Sequence, residues 1–136
     1  LGVGADLSCK WLPNLTLNLK NNNPIKYFNR ELEYNNMMDV DDLAAFCNRL
    51  MIDFWGKNSC EEFVLGAKDK MKILDIVYFL KSILESDSEL IDAGKGNTTV
   101  FSIDISKALK YGYNPMETKE VLQRFAKYVM AIDEAC

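Results

Sequence analysis

Apolar residues return every three or four positions along most of this chain, and that period constrains its fold more than any other feature. Met71, Leu74, Val77, Phe79, Leu80, Ile83 and Leu84 make a broad stripe, which predicts a helix with a wide face turned to the core. A second stripe, Val40, Leu43, Ala44, Cys47, Leu50, Met51 and Phe54, follows Asp39 as an N-cap and stops at Gly56. A third, Val121, Leu122, Phe125, Ala126, Val129 and Met130, follows Asn114-Pro115 and Glu117, a helix-start pattern.

Weaker signals fill the gaps between these helices. Asn23-Pro24 opens a helix carrying Ile25, Phe28 and Leu32 to about Tyr34, where Asn35-Asn36 ends it. Ser59-x-x-Glu62 has the form of a capping box, with a kink at Gly66. Short helices are expected at 88–93 and from Ile105 to Tyr111, the latter capped by Asp104 and ended by Gly112. Residues 1–23 are the least helical: Trp11-Leu12-Pro13 interrupts a helix, and Leu15, Leu17 and Leu19 alternate with polar residues. The reading is an all-α, compact single-domain bundle of five to seven helices over residues 1–136, with 1–23 an extended arm packed on the core. At 136 residues and 49% hydrophobic, the chain is long and apolar enough to bury such a core without a metal.

The net charge of −4 and the scarcity of clustered Lys and Arg argue against a nucleic-acid partner. No apolar run reaches a membrane span; the best, Ile73 to Leu80, is broken by Asp75. The absence of histidine removes Ser-His-Asp and Cys-His hydrolysis and imidazole ligation.

Four cysteines, Cys9, Cys47, Cys60 and Cys136, lack the close spacing of zinc ligands, so neither metal nor other cofactor is expected. Their even number, and the position of Cys9 and Cys136 near the ends, point to two disulfides in an oxidising compartment. Cys47 lies nine positions before Gly56 and Cys60 four after it. A hairpin turning at Gly56 offsets them by about 7 Å at a rise of about 1.5 Å per residue, a poor fit to a bridge. The preferred pairing is therefore Cys9–Cys47 with Cys60–Cys136. Sequons at Asn14-Leu15-Thr16 and Asn97-Thr98-Thr99, both placed in loop or exposed strand, add N-glycosylation to the picture of a secreted, extracellular glycoprotein.

Several motifs dissolve on inspection. Gly94-Lys95-Gly96-Asn97-Thr98-Thr99 lacks the Walker spacing. Asp39-Val40-Asp41-Asp42 lacks the glycine and distal glutamate of a calcium loop, and acids in a first helical turn suit the helix dipole. Glu85, Asp87 and Glu89 are a solvated patch. Among the aromatics, Tyr27, Trp55, Tyr111 and Tyr113 have polar handles suited to a contact surface, and Met37-Met38 sits at a helix junction. No motif carries a family resemblance.

The resulting expectation is a small secreted, non-enzymatic helical protein acting through a protein partner, of the salivary, effector or inhibitor type. The alternatives are a carrier of a small apolar ligand between helices and an intracellular helical adaptor or effector with free thiols.

Overall fold

The computed structural model describes residues 11–54, 56, 60–96 and 102–132. In chain order the elements are α1 (Trp11–Lys20), β1 (Ile25–Tyr27), β2 (Glu33–Tyr34), α2 (Val40–Phe54), β3 (Met71–Lys72), α3 (Ile73–Ile83), β4 (Leu90–Asp92), α4 (Ser106–Lys110) and α5 (Thr118–Ile132). β1 pairs in parallel with β4, Ile25 opposite Leu90 and Tyr27 opposite Asp92. β2 pairs antiparallel with β3, Glu33 opposite Lys72 and Tyr34 opposite Met71. Four short strands are interspersed among the five helices of the described residues, one pair of them parallel, so the expected all-α bundle is corrected to an α/β chain.

The predicted arm is also corrected, since residues 11–20 are helical. Leu12, Leu15 and Leu19 are spaced for one helical face and all are buried. Pro13 is tolerated because it stands in the first turn, where its missing N–H would have no intrahelical partner. Thr16, fully buried, donates from Oγ1 to Leu12 O at 2.9 Å and so needs no outside partner. α1, α3 and α5 pack together around Leu19, Ile76, Val77, Leu80, Val121, Leu122 and Ala126, none more than 1% exposed. Burying each such side chain contributes about 1.5–3 kcal/mol.

The other corrections share a cause. Ile25, Phe28 and Leu32 have helical spacing, yet Ile25 and Tyr27 are buried with Lys26 between them exposed, while Phe28 and Leu32 are about two-fifths exposed. Asn29 takes a positive φ of 56° and turns the chain there, a conformation Asn tolerates better than most residues. Residues 60–70 form no helix after Ser59-x-x-Glu62, and Leu90–Asp92 is a strand rather than part of a helix at 88–93.

Where turn and cap chemistry agree with the pattern, the prediction and the structure coincide. Asp39 Oδ1 accepts the Asp41 N–H at 2.9 Å at the start of α2. Asp104 Oδ1 accepts the Ser106 N–H at 2.9 Å at the start of α4, and this bond holds the Asp104 carboxyl below its ordinary pKa. Gly112, at φ 87°, follows α4. The turn after α3 is tied to α1 by Ser86, whose Oγ donates to Leu19 O at 2.6 Å. Among the described residues no helix is long and apolar enough to cross a membrane.

α2 forms over the expected residues but does not bury the expected face. Of its fifteen residues only Phe46 is buried, while Val40, Ala44, Cys47 and Met51 are exposed.

Candidate functional site

A buried asparagine organises the region where three loops meet. Asn35, 2% exposed, follows β2 directly. Its Nδ2 donates to Ala67 O at 3.2 Å and to Ile103 O at 3.0 Å, and its Oδ1 accepts the Ile103 N–H at 2.7 Å. Its backbone carbonyl accepts the Ala67 N–H at 3.0 Å. Gly66 is forced by the same closeness: a Cβ there would lie 2.7 Å from Asn35 O. From the other side the Tyr113 hydroxyl donates to Gly66 O at 3.0 Å. Burial, with the Asp42 carboxylate adding to it, pushes the Tyr113 phenol up to about 12, so it remains a donor.

This clasp fixes Leu65 and the Asn36-Met37-Met38 segment opposite the start of α1. Together with Trp11, Leu12, Pro13 and Tyr34 they line a groove of about 290 Å³. Trp11 is 40% exposed and meets Tyr34 edge to face, centroids 5.3 Å apart at 71°. The Tyr34 hydroxyl donates to Asn36 O at 2.8 Å, which holds the ring in place. Burial raises the Tyr34 pKa, so the phenol stays neutral. None of the eight lining residues is ionised near neutrality. The groove therefore offers a planar aromatic wall and adaptable thioethers, a surface for a flat ring, and brings no general acid or base to it.

A wider groove of about 760 Å³ runs beside α2, lined in part by Asp41, Asp42, Arg49, Asp53 and Gly112. Its carboxylates outnumber its one guanidinium, which disfavours an anionic ligand. Arg124 lies close by, bonded to Asp39 Oδ1 at 3.0 Å and Asp41 Oδ2 at 2.8 Å.

The residues singled out from the sequence are scattered. Tyr27 and Tyr113 are core residues at 5% and 2% exposure. Tyr111 is half-buried among Phe54 and Phe63. Cys47 and Cys60 are exposed free thiols, which corrects the expected disulfide scaffold at both described positions. Asn14 is exposed on α1, accepting from Asn18 Nδ2 at 3.1 Å, in a helix rather than a loop or strand. Cys9, Trp55, Asn97 and Cys136 lie outside the described residues. Met37, buried, and Met38, half-buried, are the only sequence-noted pair that the groove recruits. Sequence reasoning missed Asn35, which reads as a helix stop, and Trp11, whose Pro13 neighbour disguised a helix. A Trp two residues before a Pro in a Leu-rich run is compatible with a first helical turn, and that was the signal available.

No protein-family model matches the sequence, and no curated protein is similar to it at the sequence level. Solved structures match it closely in shape. A UDP-glucose 4-epimerase from Thermotoga maritima, solved with UDP-glucose, is similar over 97% of this chain and 43% of its own, with a TM-score of 0.78 and 19% identity. A UDP-N-acetylglucosamine 4-epimerase from Methanobrevibacter ruminantium, in complex with UDP-N-acetylmuramic acid, is similar over 97% of this chain and 44% of its own, at a TM-score of 0.75 and 16% identity. A GDP-mannoheptose C4 reductase from Campylobacter jejuni, with NADP bound, is similar over 96% of this chain and 50% of its own, at a TM-score of 0.71 and 13% identity. The chain thus has the fold of part of these α/β enzymes and spans half of their length or less. The same finding overturns the expected non-enzymatic helical binder, with its carrier and adaptor alternatives: the fold is one found in enzymes, and the described residues form an α/β rather than an all-α scaffold.

Proposed function

We propose that this chain is part of an enzyme that modifies nucleotide sugars, and that the Trp11–Tyr34 groove receives the base of the nucleotide. One observation carries the reading: almost the whole chain superimposes on part of a UDP-glucose 4-epimerase. The groove agrees with it chemically, because base–aromatic stacking is tolerant of base identity and contributes about 1–3 kcal/mol per base. Uncharged walls leave a diphosphate unopposed by carboxylates at that point.

Nicotinamide dinucleotides accompany proteins of this fold, yet the residues present here do not fit one. The fingerprint Gly-x-Gly-x-x-Gly is missing: Gly2-Val3-Gly4 is followed by Leu7 and Gly94-Lys95-Gly96 by Thr99 in the third place. No redox step is therefore assigned to this chain's residues, and the dinucleotide belongs on a separate portion of the enzyme.

The test is Trp11 fluorescence in a Trp55→Phe background, titrated with UDP-glucose, dTDP-glucose and a GDP-sugar. At least one is expected to give a saturable change with Kd of about 1 mM or tighter, equivalent to about −4 kcal/mol. Glucose and pyrophosphate alone are expected to give none. Trp11→Ala is expected to weaken binding about tenfold or more, the loss of one stacking contact. A response shared equally by free glucose, or no saturable response to any nucleotide sugar, would overturn the reading.

A further inference from the structure

Where the end of α2, the segment after it and the end of α4 come together, aromatic rings surround a small open pocket. Leu50 and Phe54 stand one helical turn apart on α2, Phe63 lies on the segment that follows, and Tyr111 closes α4. With Glu61 they line a pocket of about 170 Å³. The Tyr111 ring meets Phe63 edge to face, centroids 5.0 Å apart at 68°, and lies tilted against Phe54 at 5.6 Å and 30°. Phe63 is braced in turn by the buried Phe46, at 5.3 Å and 83°. Leu50, Phe63 and Tyr111 all pack on the cluster of Phe46, Ile105, Ala108 and Tyr113, so these walls are fixed before anything binds. The pocket shares no lining residue with the Trp11–Tyr34 groove and is independent of the nucleotide-sugar reading.

One cation already stands against this aromatic wall. Lys107 Nζ is 5.2 Å from the Phe63 ring centroid, 2.9 Å from Glu61 Oε2 and 2.9 Å from Glu62 O. The bond to Glu61 is the main cause that raises the Lys107 pKa, and the charge of Glu62 adds to it. Two carboxylates therefore act on one ammonium, and the balance beside the pocket is negative. Glu61 gives one oxygen to Lys107 and has a second to offer.

These features select among ligands. At about 30 Å³ per water the pocket has room for roughly six waters, well below the about 300–1,000 Å³ of a site for a drug-sized molecule. A compact head group enters it and a nucleotide sugar does not. An anion meets Glu61 and Glu62. A wholly apolar occupant takes water from the Glu61 carboxylate and returns no partner. A primary ammonium brings three donors to a surface of rings and Leu50, where Glu61 alone accepts. A nitrogen bonded only to carbon has no donor to satisfy, and both the aromatic rings and the carboxylate attract it. We propose that Leu50, Phe54, Phe63, Tyr111 and Glu61 form a binding site for a quaternary ammonium head group.

The test is a titration of the full 136-residue chain with choline, read from the N-methyl proton signal of the ligand and the ring signals of Phe54, Phe63 and Tyr111. Saturable binding is expected, with Kd of about 1 mM or tighter and shifts on all three rings. The neutral isostere of choline, with carbon in place of nitrogen, is expected to bind at least about tenfold more weakly, since it keeps the shape and loses the attraction to rings and carboxylate. Glu61→Gln is expected to weaken choline binding about fivefold, and Lys107→Gln, which frees the whole Glu61 carboxylate, to tighten it about threefold. Both side chains are partly exposed, so neither change endangers the fold, and lost packing would not produce opposite signs. A trimethyllysine peptide run in parallel distinguishes the source of the head group: binding about tenfold tighter than choline assigns it to a protein tail, and equal or weaker binding to a free amine. No saturable response to either ligand would overturn the inference, as would equal binding of the neutral isostere or effects of the same sign for Glu61→Gln and Lys107→Gln.

Discussion

Replacing Asn35 with alanine removes both ends of the clasp that joins β2, Gly66-Ala67 and Ile103. Three hydrogen bonds disappear, two donated to the carbonyls of Ala67 and Ile103 and one accepted from the Ile103 N–H. Each is worth about 1 kcal/mol net, and a buried partner left unsatisfied costs about 1–3 kcal/mol. Ala67 is buried, so its carbonyl loses its partner away from water, whereas Ile103 is half-buried and regains part of its hydration. The expected loss is about 3 kcal/mol, a large share of the roughly 5–15 kcal/mol that stabilises a domain. Urea unfolding followed by tryptophan fluorescence reads this as a midpoint lowered by about 2 M, for a slope near 1.5 kcal/mol/M. Asn35→Asp keeps the acceptor for Ile103 N–H but aims a carboxylate oxygen at two carbonyls, so it is expected to be no better than alanine at neutral pH. A midpoint for Asn35→Ala within about 0.3 M of the parent, under 0.5 kcal/mol, would refute the reasoning that this residue holds the groove together.

Three further expectations follow from the same geometry. Gly66→Ala brings a Cβ to 2.7 Å from the Asn35 carbonyl, a backbone atom with little room to yield; a loss of about 1–3 kcal/mol in the same urea assay is expected. Tyr113 is expected to ionise near 12 in a spectrophotometric titration, above the ordinary value of 10. Because the folded form holds that proton more tightly than the unfolded form, the associated stability is present below pH 10 and lost as pH rises from about 10 to 12; Tyr113→Phe is expected to abolish that dependence. Leu80→Ala, in the fully buried contact of α3 with α1 and α5, is expected to cost about 2–5 kcal/mol by thermal or chemical unfolding, whereas Met51→Ala on the open face of α2 is expected to cost under about 0.5 kcal/mol.

The helices were legible because their stripes run for several turns. The fifteen residues of α2 and α5 and the eleven of α3 repeat a 3.6-residue period often enough to be recognised. The strands were not, because β1 and β4 have three residues each and β2 and β3 two, too few to complete an alternation that rivals the helical one. Ile25, Phe28 and Leu32 shared a period with a helix while their backbone followed Asn29 into a turn. The fold class failed with them, since four short strands separate an α/β chain from an all-α bundle. The exposure of α2 was equally invisible: a stripe marks an apolar face, not how much of it the rest of the chain covers. Asn35 carried no pattern at all; its role exists only where residues 66–67 and 103 converge on it.

The most direct test of the account is nitrogen-15 chemical-shift mapping of the chain during titration with UDP-glucose. The account predicts that the largest saturable shifts fall on the Trp11 indole and on the amides of Tyr34, Asn36, Met37 and Leu65. Shifts confined to the groove of Asp41, Arg49 and Gly112, or no saturable shifts with any nucleotide sugar, would contradict it.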